Sequence, residues 1–198
     1  FNTYRDGLGG AGHWVGSPYL FTAQSGPAWA DEGGNFEDLR EGKKAGPLPR
    51  SWAHYRGLYR HGDRVVFSYR INGIDILDMP WIEEPGNLKI FTRTLEIEPS
   101  DSMLVLKVCQ ARGDTETPTV VLPHGKPDPS FALAKEGAEW HLGIRPRKRT
   151  VRIKLLMASA VEGQAPKLLA TTPAITPAED LSQLVKGGPS RHPAPLLT

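Results

Sequence analysis

From Arg64 to Ile71 the chain alternates residue by residue. Val65, Phe67, Tyr69 and Ile71 point one way, and Arg64, Val66, Ser68 and Arg70 the other. A period of two is the pleat of a β-strand. Asn72-Gly73 follows, and a type I′ turn needs positive φ at both central residues, which this pair tolerates well. A two-residue loop there sets Ile71 against Ile74, Tyr69 against Ile76 and Phe67 against Asp78. On the opposite face Arg70 meets Asp75, Ser68 meets Leu77 and Val66 meets Met79. Opposite charges facing each other, with apolar residues stacked behind, make this register self-consistent. The hairpin Arg64–Trp81 is therefore expected at the structural centre.

Further strands are expected downstream. Leu88–Glu98 alternates Ile90, Thr92, Thr94 and Glu96 with Phe91, Arg93, Leu95 and Ile97. A Pro99–Ser102 turn leads into Met103–Cys109, and Thr119–Leu122 reads as a short strand. Ser130–Ala134 and Ala138–Leu142 read as a loose hairpin, and Arg149–Ala158 as the last strand. Upstream, Gly46–Arg50 (GPLPR) reads as a rigid connector. Ser51 is then placed to cap one short turn across SWAHYRG, ended by Gly57. Many short strands without helical spacers predict a mainly β fold, an antiparallel β-sandwich or barrel-like domain with long Gly/Pro-rich loops.

Composition agrees with that class and divides the chain. Among 198 residues there are 21 Gly and 18 Pro, which favours turns over long helices. Residues 1–50 read as glycine-rich loops anchored on the core by Trp14, Tyr19, Phe21, Trp29 and Phe36, with a short strand in SPYLFTAQSG. Residues 51–160 form the expected β core. Residues 161–198 read as a Pro-rich linker or strap leading to a further domain, with one turn at Pro177–Val185. The chain starts at Phe1 without a signal-peptide pattern, which reads as a mature or fragmentary piece of something longer.

Charge and cysteine content narrow the chemistry. A formal charge of +2 gives no global field for nucleic acid or acidic lipid. The single cysteine, Cys109, excludes an intramolecular disulfide, a CxxCH haem attachment and a cysteine-rich zinc site. There is no apolar run long enough for a membrane-spanning helix. His13, His54, His61, His124, His141 and His192 show no metal-ligand spacing, so no metal is expected. Gly7–Gly12 is the nearest approach to a dinucleotide loop, but it lacks the flanking strand and helix that present amides to phosphate. Glu83, Glu84, Glu96 and Glu98 read as edge and turn charges, and no catalytic residue is assigned.

Two runs stand out as surfaces. Trp52, Tyr55, Arg56, Tyr59, Arg60, His61 and Trp81 combine aromatic rings with cations. Sugars stack on such rings, but Trp, Tyr and Arg are equally the anchors of domain interfaces, and His61-Gly62-Asp63 also reads as a turn. Arg145, Arg147, Lys148 and Arg149 form the best anion-contact candidate, although no aromatic residues interleave with them as in a nucleic-acid groove.

The run SWAHYRGLYRHGDRVVFSYRINGIDILDMPWIE, with GPLPR before it and FTRTLEIEP, VRIKLLMASA and AEDLSQLVKGGPSRHPAP after it, also carries a resemblance. Over residues 46–198 it resembles an uncharacterised conserved domain of planctomycete and verrucomicrobial multidomain proteins. There the domain usually precedes a sugar-dehydrogenase-like β-propeller and a c-type cytochrome domain. The resemblance implies a periplasmic or cell-surface parent protein, with haem c elsewhere in it and no cofactor in this segment. It implies a non-catalytic accessory or interface module whose partners are the downstream propeller and cytochrome domains. A carbohydrate-binding module contacting polysaccharide, and an independent hydrolase or lyase built on His54 or His61 and a carboxylate, are the alternatives.

Overall fold

The computed structural model describes residues 27–37, 49, 51–84, 90–110, 118–122, 128–158 and 178–186. The strand expected in SPYLFTAQSG, the Gly7–Gly12 run and the anchors Trp14, Tyr19 and Phe21 lie outside the described residues. The fold is mainly β. Its strands are β1 (Ala53–His61), β2 (Arg64–Ile71), β3 (Ile74–Glu83), β4 (Ile90–Ile97), β5 (Leu104–Gln110), β6 (Thr119–Val121), β7 (Phe131–Glu136), β8 (Glu139–Ile144) and β9 (Val151–Ala158). A single helical turn, α1 (Leu181–Leu184), follows.

Two antiparallel sheets, one ordered β1-β2-β3-β4-β9-β6 and the other β5-β8-β7, stack as a sandwich and do not close into a barrel. The β2–β3 register is the one the alternation predicts, from Ile71–Ile74 to Phe67–Asp78. Asn72 (φ 49°) and Gly73 (φ 79°) both take positive φ, as a type I′ turn requires. Ile71, Ile76, Leu95, Ile97, Ile153 and Leu155 from the large sheet meet Leu104, Leu106, Leu142 and Ile144 from the small one, and these form the main core. The β7–β8 hairpin is longer and tighter than expected, with Gly137 (φ 60°) in its two-residue turn.

Two local expectations are corrected. A turn does close at residues 49–53, where the Trp52 and Ala53 amides donate to the Pro49 carbonyl. SWAHYRG does not continue helically, however: β1 starts at Ala53 and runs through Gly57. The second correction concerns Glu96, which is buried on the outer face of the large sheet and is not an edge charge. Its Oε2 accepts the Leu181 amide at 3.1 Å and the Ser182 amide at 3.4 Å, capping α1 across the chain. Arg152 bonds both Glu96 (3.1 Å) and Asp180 (3.0 Å), so α1 is clasped to the sheet. Leu181 then seals against Val66 and Met79.

At the start of β7, Asp128 accepts the Ser130 amide at 2.8 Å and pairs with Arg147 at 2.5 Å. The Ser130 amide, then Arg147, lower its carboxyl pKa to about 2. With the folded value below the unfolded one, this stabilisation is complete above the ordinary carboxylate range and is lost as pH falls toward 2. Asp128→Asn is thus expected to lower the melting temperature at neutral pH and to flatten its decline between about pH 4 and about pH 2. Melting curves with the same acid slope for both proteins would remove Asp128 from the acid-sensitive groups.

Candidate functional site

A hollow lies beside β1, the end strand of the large sheet. It holds about 540 Å³ and is lined chiefly by Trp29, Trp52, Tyr55, Tyr69, His54 and Arg93. Each wall has a separate local cause. Trp29 belongs to a short extended segment that adds to β5: Ala30 N–H donates to the Val105 carbonyl at 3.0 Å, and Lys107 N–H to that of Ala28 at 2.8 Å. Trp52 sits in the turn before β1, where its Nε1 donates to the Ala30 carbonyl at 3.3 Å. Tyr69 lies on the inner face of β2, placed there by the alternation that also buries Ile71.

Tyr55 reaches the hollow by pairing with Tyr69 on the inner face, just before a bulge in β1. The ladder with β2 runs from Tyr55–Tyr69 directly to Gly57–Ser68, so Arg56 is an extra residue. Gly57 takes φ 138°, a conformation that side-chain-bearing residues rarely adopt. Without that insertion Tyr55 and Tyr59 would share a face. With it, Tyr55 stays beside Tyr69, while Tyr59 turns to the other side and packs near Val66, Met79 and Leu181.

The floor is a polar network. Asp78 is 5% exposed and lies on the inner face of β3. Arg93 Nε donates to both carboxylate oxygens at 3.0 Å, and Nη2 donates to Oδ2 at 2.5 Å. The Tyr69 hydroxyl donates to Asp78 Oδ2 at 2.8 Å and accepts from Trp29 Nε1 at 3.2 Å. Burial, followed by the Asp78 charge, holds the Tyr69 phenol far above its usual pKa. Burial works against the Arg93 charge, but Asp78 more than offsets it, so the guanidinium stays protonated. The bonds of Arg93 use Nε and Nη2, and among the described residues no partner takes its Nη1 donors.

The residues singled out from sequence therefore scatter. Trp52 and Tyr55 come together at the hollow, one buried as a wall and the other 60% exposed at the rim. Arg56 pairs with Asp75 at 2.6 Å, and Arg60 donates to the Gly62 carbonyl at 3.0 Å. His61 ends β1 in solvent. Trp81 lies on the other face beneath Arg64, whose guanidinium carbon is 5.6 Å from the ring centroid. Of the basic run, Arg147 is taken by Asp128 and by the Phe131 ring, and Lys148 by Asp101. Arg145 and Arg149 remain exposed. The three-ring row that a flat sugar platform needs is broken by the bulge.

Sequence reasoning had not gathered Trp29, Tyr69 and Arg93 into a site. Only the inward alternation of Tyr69 and Arg93 pointed to them. Among the described residues neither His54 nor His61 contacts a carboxylate. No group of three or more His, Cys, Asp or Glu is placed there to hold a metal ion, and no helix there is long and apolar enough to cross a membrane.

Residues 1–78 match a family model described as Domain of unknown function (DUF6797). The matched stretch takes in the glycine-rich opening, β1, β2 and β3 as far as Asp78. No curated protein and no solved structure matches the chain.

Proposed function

We propose that this chain is a non-catalytic accessory module of an exported multidomain redox protein, and that it docks a neighbouring domain along β1. The observation that carries this reading is the free edge of the large sheet. β1 has no partner on its outer side among the described residues, and Tyr55 and Leu58 stand 60% and 52% exposed on it. An open strand edge with large apolar side chains is a surface that proteins ordinarily blunt or cover. β1 carries arginines and histidines but no acidic residue, which suits an acidic or carbonyl-rich rim on the partner.

The identity of the partner comes from the resemblance set out above. In this reading it is a sugar-dehydrogenase-like β-propeller, in a periplasmic or cell-surface protein of planctomycete type. Haem c would sit in a separate cytochrome domain. Amide hydrogen exchange across residues 53–61 tests the proposal, comparing the isolated chain with the full-length polypeptide of its reading frame. The docking role requires slower exchange at Tyr55–Leu58 in the longer protein, restored to the isolated-chain rate by Leu58→Asp. Equal exchange in both proteins would overturn it.

A further inference from the structure

We infer that the hollow beside β1 binds a neutral sugar ring. This goes beyond the docking role, which concerns the outer edge of β1 and assigns no ligand. The volume, about 540 Å³, lies in the range of small-ligand sites. Trp29, Trp52, Tyr55 and Tyr69 line it, and both indole N–H groups are already bonded within the protein. With Trp29 and Trp52 only 5% and 7% exposed, Tyr55 at the rim is the ring most open to a ligand. A π face is electron-rich and attracts the slightly positive C–H bonds on the flat side of a pyranose.

The polar part of the lining decides between ligand classes. Among the described residues that line it, Arg93 is the only Lys, Arg, Asp or Glu, and Asp78 cancels its charge from behind. An anionic ligand would find no net positive field there. A purely apolar ligand would cover the Arg93 Nη1 donors and leave them without an acceptor, which is costly. A neutral ring with hydroxyls around its rim satisfies both demands. Its oxygens accept from Nη1, while the Tyr55 hydroxyl stands at the mouth for the remaining hydroxyls. The same chemistry serves a free sugar or one unit of a chain, and Tyr55 at the open rim leaves room for a chain to continue.

The test uses the purified chain and calorimetric titration with glucose, cellotetraose, maltotetraose, mannotetraose and xylotetraose. A galacturonate oligomer and adenosine serve as charged and flat-heterocycle controls. At least one neutral sugar is expected to saturate the site and shift the tryptophan emission. Glucose binding as tightly as its oligomers would assign a free-sugar site, and a gain with chain length a polysaccharide site. Tyr55→Ala is expected to weaken binding about tenfold while the melting curve is unchanged. Leu58→Ala, on the same edge but outside the hollow, is expected to bind like the parent. The inference is overturned if no neutral sugar saturates at about 10 mM, if the galacturonate oligomer or adenosine binds better, or if Tyr55→Ala leaves binding intact. None of these results alters the exchange pattern that tests docking, so the two readings fail separately.

Discussion

Arg93→Ala is expected to destabilise the fold by about 3–5 kcal/mol, the cost typical of stranding one charge of a buried pair. Asp78 faces the interior between Phe67 and Leu95. Its two oxygens take three contacts from Arg93 and one from Tyr69. Removing the guanidinium leaves that carboxylate without a counter-charge where water reaches poorly. Tyr69→Phe, which removes the hydroxyl's bond to Asp78 and the acceptor of Trp29 Nε1 and Arg93 Nη2, is expected to cost at least about 1.5–3 kcal/mol. Replacing both charges together, Asp78→Leu with Arg93→Met, is expected to recover most of the loss, because no unpaired charge remains. Urea unfolding followed by circular dichroism measures all three. A cost below about 1 kcal/mol for Arg93→Ala would mean that the pair behaves as a surface ion pair in solution.

The second large effect lies at the far end of the chain. Leu181→Ala is expected to cost about 2–5 kcal/mol, the range for emptying a fully buried leucine site. Leu181 is 0% exposed, wedged on Val66 and Met79 from the outer face of the large sheet. A four-residue helix has no stability of its own. It persists because Glu96 supplies the acceptor for its first amides and Arg152 ties Glu96 to Asp180. The loss should appear in the single main unfolding transition. A variant with unchanged urea midpoint would show that α1 adds nothing to the sandwich.

These two sites mark where the sequence was readable and where it was not. The β2–β3 hairpin was legible to the residue, because period-two alternation and an Asn-Gly turn are local signals that agree. The inner-face position of Arg93 was legible from the same alternation. Its partner Asp78 follows once β3 and β4 are aligned, but Trp29 reaches Tyr69 from 40 residues away, and no local pattern encodes that distance. Glu96 was misread because alternation assigns a residue to a face without showing whether that face is covered. The same limit hid the burial of Thr92, Thr94 and Lys154 on the outer face. Gly57 was misread for a different reason. A glycine that ends a helix and a glycine that follows a bulge both exploit positive φ, so the residue type does not distinguish them.

The bulge has a consequence that lies in counting rather than in chemistry. Side chains along β1 form a wave of period two, and the extra Arg56 slips that wave by half a period. Residues before it keep one phase relative to β2, and residues after it keep the opposite one. Whether Tyr55 looks into the hollow and Tyr59 away from it is therefore set by the number of residues between them, not by what those residues are. A lineage that lost or gained one codon there would bring Tyr55 and Tyr59 onto one face while keeping every aromatic residue in its sequence. Two such chains would look nearly identical when aligned and present different faces to whatever they bind.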